Sequence, residues 1–346
     1  MKVLCYTSFT FSYLNRARTL FDSIKKFHPD WHCVALITDE IPPGMSFDVN
    51  QESFDRIVWP WELGIQNLQS WLFKHDVVEV CTAVKGPFLK WACGLDFEAV
   101  IYLDPDTCLF NDLNPLTSLL EQYDVVLTPH TLEPQDTISA IWDNEITPLW
   151  AGTDHLGFVA IRTKGDGLRF AEWWAHRLEH FCYDKRELGL FVDQKWCDLA
   201  PALFDNLKIL RDPGYNVASW NINNRKITID NNGQIWVNGT YLLRFWHFTK
   251  LGATGDAMTE RYAKENFEVY ELWRWYRHRV QKNTSKEIPA GYWAFGAYQN
   301  SQPIEKIHRE VYRDSPSLQA EFPTPSSTEG QSFLAVLPDI LRDRSS

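Results

Sequence analysis

The sequence predicts an α/β protein built on a mainly parallel sheet flanked by helices. Two observations carry that prediction. Residues 2–38 read strand, helix, strand, the opening of a parallel sheet with a crossover helix. Further on, the apolar run Ala99-Val-Ile-Tyr-Leu103 ends in Asp104-Pro-Asp106, which reads as a buried strand stopped by proline at its C-terminal end. In open α/β sheets ligands gather at that end.

In chain order, Val-Leu-Cys-Tyr-Thr in residues 2–8 is the first strand, and residues 12–27 follow with apolar positions at helical spacing (Leu14, Ala17, Leu20, Phe21, Ile24). His28-Pro-Asp30 stops that helix, and residues 33–38 form the second strand, closing on Asp39. Residues 41–75 read as irregular and aromatic. Residues 77–93 read as a helix interrupted at Gly86-Pro87, before the central strand at 99–103. Short strands are expected at 125–128 and 158–161, and an amphipathic helix at 167–181. Another helix is expected to begin at 191. Strands are expected at 208–210, 227–229, 235–237 and 242–246, with Asn231-Asn-Gly233 as a tight turn. Residues 260–280 read as one long helix. Residues 324–330, rich in Pro, Ser, Thr and Glu, read as a linker, with a last short helix at 333–341.

The composition fits a soluble globular protein. Of its 346 residues 45% are hydrophobic and 23% charged, and the net charge of −11 argues against a nucleic-acid-binding surface. No apolar run approaches the roughly 18 residues of a membrane span, and no signal peptide is evident at the N-terminus. Seven cysteines without a C-x-x-C pair suit free thiols in a reducing cytoplasm. The sixteen tryptophans suit both a core and a sugar-binding face.

Two carboxylates at one strand end repel each other unless a cation lies between them, and a divalent metal carrying a phosphate ligand meets that need. Other candidates are residues of the same polar kind near strand ends or loop starts. They are Thr7 and Ser8 after the first strand, Asp39 after the second, and Lys85 before Gly86-Pro87. Asp154-His155 and Asp193-Gln194 follow, then His247 and Lys250 after a late apolar run. Each has a bland reading as well: Asp193 as a helix cap, Lys85 as a solvated helix-end cation, His247 as a structural histidine.

These stretches together resemble nucleotide-sugar glycosyltransferases of the GT-A type, in particular bacterial enzymes of surface-polysaccharide assembly. The resemblance rests on Tyr13-Leu-Asn-Arg-Ala-Arg-Thr-Leu20, Glu79-Val-Cys-Thr-Ala-Val-Lys85 and Ile101-Tyr-Leu-Asp-Pro-Asp106. It extends to His155-Leu-Gly-Phe158, Val192-Asp-Gln-Lys-Trp196, Phe245-Trp-His-Phe-Thr249 and Trp293-Ala-Phe-Gly296. It implies a GT-A domain over residues 1–255, a helical C-terminal extension over 256–323 and a linker-like tail over 324–346. It further implies Asp104, Asp106 and His247 as ligands of Mn2+ or Mg2+. Thr7, Ser8, Asp39, Lys85, Asp104 and Lys250 would bind the nucleoside-diphosphate donor, and Arg16 is a candidate for its phosphates. Lys250 stands where the family commonly has glycine. Asp193 and Gln194 would lie beside the anomeric carbon, with Asp154 and His155 as rival bases. The implied partners are a UDP-linked sugar and a glycan or lipid-linked acceptor, in the cytoplasm, compatible with peripheral attachment to a membrane.

Two readings compete. Asp104-Pro-Asp-Thr107 matches the D-x-D-x-T of haloacid-dehalogenase-type phosphatases, with Gly255-Asp256 and Glu260 imitating their late acidic motif. A non-catalytic carbohydrate-binding protein would explain the tryptophans but not the carboxylate pair.

Overall fold

The computed structural model describes residues 1–345. Its centre is a seven-stranded sheet. The strands are β1 (Val3–Phe9), β2 (His32–Ile37), β3 (Arg56–Val58), β4 (Ala99–Leu103), β6 (Val125–Leu127), β7 (Phe158–Arg162) and Leu207–Ile209, with β5 (Thr107–Leu109) lying outside it. Their order across the sheet is Leu207–Ile209, β6, β7, β4, β1, β2, β3. β3, β2, β1 and β4 are mutually parallel, whereas β7 runs antiparallel to both β4 and β6.

Strand alternation divides the core in two. Leu4, Tyr6, Val100 and Tyr102 face one side, where they meet Phe88, Leu89 and Trp174. Val3, Cys5, Ile101 and Leu103 face the other, against Leu14, Ala17, Leu20, Phe21 and Ile24 of helix α1 (Leu14–Phe27). Both faces are covered, which is why β1, β2 and β4 read as nearly continuous apolar runs.

Differences from the sequence reading have local causes. After α2 (Leu68–Phe73), α3 (Val77–Ala83) gives way to α4 (Lys85–Cys93) at Val84, two residues before the expected break at Gly86-Pro87. Pro87 lies in the first turn of α4, where its missing N–H costs nothing. Gly86 is there for contact: a Cβ would come within 2.8 Å of the Ala175 backbone on the helix Gly165–Phe181. The helix expected from 191 is only the 3-10 turn Lys195–Leu199 and the short helix Ala200–Leu203. The strand expected at 242–246 is split into Tyr241–Leu242 and Phe245–His247. The long helix expected at 260–280 is two, Ala253–Ala263 and Phe267–Lys282, broken at Lys264 with φ +49°.

These two helices pack on the late strands, with Tyr276 stacked on Phe248 at 3.9 Å. The expected boundary at 255/256 therefore falls inside a helix. In the tail, Phe333–Ser345 is helical, and Phe333 and Leu337 are buried with Phe73, Tyr298 and Tyr312. Arg309 clamps this region by donating to the carbonyls of Phe73, His75 and Phe295. No helix among the described residues is long and apolar enough to cross a membrane.

Candidate active site

The end of β4 collects residues from four distant parts of the chain. Because β7 is antiparallel to β4, with Leu103 opposite Phe158, the segment entering β7 arrives where β4 leaves the sheet. Asp104 N–H accordingly donates to the Gly157 carbonyl at 2.9 Å. Immediately after the Asp104-Pro-Asp106 turn, β5 pairs antiparallel with Phe245–His247, placing His247 opposite Thr107. Phe248 N–H closes the junction on the Asp106 carbonyl at 2.8 Å.

His247 Nε2 thereby comes to 2.9 Å from Asp106 Oδ1 and 3.7 Å from Asp104 Oδ2. Ligand atoms of the three side chains all lie within 4.8 Å of one another. Burial works against charge on both Asp106 and His247. Their contact outweighs it, lowering the pKa of Asp106 and raising that of His247. Two carboxylate oxygens and one imidazole nitrogen form a donor set that fits a divalent cation. Nε2 is the nitrogen that faces the acids, and Nδ1 is buried without a hydrogen-bond partner. Gly157 makes room for the ring: a Cβ there would stand 2.6 Å from His247 Nδ1 and 2.8 Å from His155 Cε1.

Lys85 is the second centre of charge. Its Nζ lies 3.1 Å from Asp104 and 2.9 Å from Asp193, and it donates to the Leu156 carbonyl at 3.1 Å. Burial alone would lower its pKa, but the two carboxylates prevail and hold it above the ordinary lysine value. Burial raises the Asp193 carboxyl, and Lys85 only partly offsets that. Lys85 is thus no solvated helix-end cation, and Asp193 does not cap the turn that follows it.

The remaining candidates separate clearly. Ser8 lines the cleft, donating to the Cys81 carbonyl at 2.6 Å. Thr7 points to the opposite face of β1, fully buried, its hydroxyl without a partner. Asp39 is also buried away from the cleft. It accepts backbone N–H bonds from Phe11, Glu40 and Ala294, and burial still pushes its carboxyl up to about 6. Gln194 is fixed at both ends, accepting from Leu156 N–H at 3.2 Å and donating to the Ala151 carbonyl at 3.1 Å. His155 lines the cleft, but its Nδ1 accepts from Gly157 N–H at 3.2 Å, and burial depresses its pKa. Asp154 lies behind the cleft wall, where burial, aided by Asp198, pushes it up to about 7. Lys250 is exposed at φ +55° and is not among the lining residues. Arg16 stacks on Tyr13 at 3.9 Å and contributes to holding Asp106 ionised. Asp256 sits on an exposed helix paired with Arg277, so the late acidic motif of a phosphatase does not assemble with Asp104.

Three residues escaped the sequence reading. Tyr102 donates to Asp104 Oδ1 at 2.5 Å and lies under Lys85, whose Nζ is 4.3 Å from the ring centre. Its position two residues before Asp104 on one strand face was a usable signal. Val192 holds φ +41°, a left-handed backbone that a β-branched residue adopts only when its surroundings impose it. That conformation presents Asp193 to Lys85. It leaves no trace in a sequence, and neither does the close approach that requires Gly157.

The residues enclose a cleft of about 410 Å³. Asp104, Asp106, His247, Lys85 and Asp193 form its charged floor, and Val77, Val78, Phe191 and Val192 contribute an apolar side.

No protein-family model matches the chain. The uncharacterized protein YfnF of Bacillus subtilis (strain 168) is 25% identical over 184 residues, 51% of this chain and 57% of that protein. The uncharacterized protein YfnD of the same organism is 25% identical over 178 residues, 49% of this chain and 53% of that protein. The chain thus spans little more than half the length of these curated relatives. Among solved structures, the galactosyltransferase LgtC in complex with donor and acceptor sugar analogs aligns at a TM-score of 0.44 with 14% identity, covering 81% of this chain and 100% of that one. Mouse xyloside xylosyltransferase 1 aligns at a TM-score of 0.40 with 12% identity, covering 72% of this chain and 97% of that one.

Proposed function

We propose that the protein is a metal-dependent glycosyltransferase of the GT-A kind. It would move a sugar from a UDP-linked donor to a hydroxyl of a glycan or lipid-linked acceptor in polysaccharide assembly, in the cytoplasm. One observation carries this reading: Asp104, Asp106 and His247 converge at the end of β4, beside the Asp104–Lys85–Asp193 chain of charges, in an open cleft.

Asp104, Asp106 and His247 are the residues that would hold the ion, and the mixed oxygen and nitrogen set suits Mn2+ better than Mg2+. When bound, such an ion neutralises the charge of a departing diphosphate. Tyr102 and Lys85 fix Asp104 from two directions. Arg16, close enough to bias Asp106, adds positive charge toward the phosphates. Ser8 and Thr10 line the part of the cleft suited to the nucleoside.

The carboxylates that line the cleft are Asp104, Asp106 and Asp193. The first two belong to the ion, and Asp193 is tied to Lys85 at 2.9 Å. Asp154 is behind the wall and His155 is already engaged. This leaves no free carboxylate to take the acceptor's proton and favours transfer with retention of configuration. The leaving diphosphate would accept that proton, while Asp193 steadies positive charge at the anomeric carbon.

Calorimetry with UDP in the presence and absence of Mn2+ tests the reading, followed by NMR of the product formed from a panel of UDP-sugars. Binding that needs the metal, and a product with the donor's anomeric configuration, are expected. UDP binding indifferent to Mn2+, or phosphate release from a generic aryl phosphate, would remove it.

A further inference from the structure

Between β6 and β7 runs a helical stretch whose pattern is turned inside out. It comprises Ile138–Ile141, the wider turn Trp142–Ile146 and Thr147–Ala151. Positions facing the protein carry Ala140, Asn144, Pro148 and Ala151. The outward row at spacings of four, four and three is Ile138, Trp142, Ile146 and Leu149. Ile138 is 85% exposed, Trp142 66% and Leu149 71%. A surface helix normally buries such a row, and a continuous exposed one marks a binding face.

Both carboxylates of this stretch are already committed. Asp143 is paired with Arg261 and accepts from the Tyr262 hydroxyl at 2.6 Å. Glu145 accepts from Gln135 N–H at 2.6 Å. Close by, Lys195 donates to the Leu149 carbonyl and pairs with Asp198, while Arg186 pairs with Asp184.

The row is continuous with the cleft. Trp150, the neighbour of Leu149, meets Phe191 edge-on at 5.2 Å, with Arg186 stacked over Trp150 at 3.9 Å. Phe191 lines the cleft two residues before Asp193. A mainly apolar track, crossed by the Arg186 guanidinium at Trp150 and Phe191, therefore leads from beside the charged floor to the outer face of the helix.

We infer that this track holds the aliphatic chain of an amphiphilic acceptor whose polar head reaches the cleft. The inference rests on the transferase reading and narrows its acceptor to a lipid-linked one. A saccharide would need hydrogen-bonding side chains along the row, whereas three of its four members, Ile138, Ile146 and Leu149, are aliphatic. An anionic membrane would need free basic residues, whereas Arg186 and Lys195 are paired and the chain carries −11. A neutral alkyl chain needs neither.

The full chain and its Trp142→Ser/Leu149→Ser variant are titrated with n-dodecyl β-maltoside below its micelle concentration, with maltose, and with UDP–Mn2+, by calorimetry. The expected result is saturable binding of the dodecyl glycoside but not of maltose, weakened about tenfold or more in the variant, with UDP–Mn2+ affinity equal in both. Equal dodecyl binding by the two proteins, or none by either, overturns the inference. A dimer in sedimentation that the variant loses assigns the face to a second copy, and binding to neutral vesicles but not to the monomeric glycoside assigns it to a membrane. Either overturns it too. A normal dodecyl response with no UDP–Mn2+ binding would instead sink the transferase reading and leave the apolar face standing.

Discussion

The floor of the cleft and the helix beside its mouth invert the usual placement of residues. The floor buries Lys85, Asp106, Asp193 and His247, while the helix exposes Ile138, Trp142 and Leu149. Buried charges persist because each has a partner within about 3 Å. The exposed apolar row is left uncovered by the other described residues. A fold optimised only for its own stability would exchange the two arrangements, so both point to ligands: a charged one on the floor, an apolar one along the track.

The comparison is broken most severely at Asp106. Asp106→Ala removes a proposed metal ligand and leaves His247 without its acid, and we expect transfer to fall roughly 10³-fold with the circular dichroism spectrum unchanged. Metal-dependent turnover near the wild-type rate would refute the floor's assignment. Lys85→Met leaves Asp104 and Asp193 facing each other uncompensated. Breaking a buried pair in this way costs about 3–5 kcal/mol, measurable as a lowered urea midpoint together with lost UDP binding.

Gly157→Ala acts on geometry alone, since the new methyl would occupy space held by the His247 ring. Mn2+ affinity should weaken about tenfold or more, with the melting temperature lowered by the overpacked methyl, and an unchanged Mn2+ titration would show that the ring has room to move.

The smallest effect concerns Asp154, buried like Asp193 but without a lysine beside it. Its folded-state pKa of about 7 lies above the ordinary carboxyl value. The folded protein therefore holds this proton more tightly than the unfolded chain, and stability declines as pH rises from about 4 to about 7. Asp154→Asn should remove that slope. The variant would be more stable than wild type at pH 8, with the gap closing by pH 4, while transfer activity stays within a few-fold. Loss of activity on this substitution would return Asp154 to the list of bases.

Much of this was legible in the residues. The strand–helix–strand opening and the run into Asp104-Pro-Asp106 follow from local periodicity, and periodicity survives in a single sequence. His247 could be nominated because it too ends an apolar run. What stayed hidden depends on distance and dihedral angle. Thr7 and Ser8 are equivalent by position, but the two-residue period of β1 turns one to the cleft and the other to the core. Asp154 and Asp193 look alike in sequence, and only the placement of Lys85 distinguishes them. No helix was expected at 138–151, where the wider turn Trp142–Ile146 and Pro148 blur the helical pattern, and which side of it faces water is decided elsewhere in the chain.

The short ladder joining β5 to Phe245–His247 ties residues nearly 140 positions apart, and the third residue of the proposed ion site arrives only through it. Until that closure the nascent chain holds an aspartate pair with no imidazole to complete the set, so the ion cannot template the first half of the fold. On the proposed metal site, manganese uptake during refolding would act as a clock for this one long-range pairing, starting only once residues 245–247 have joined β5.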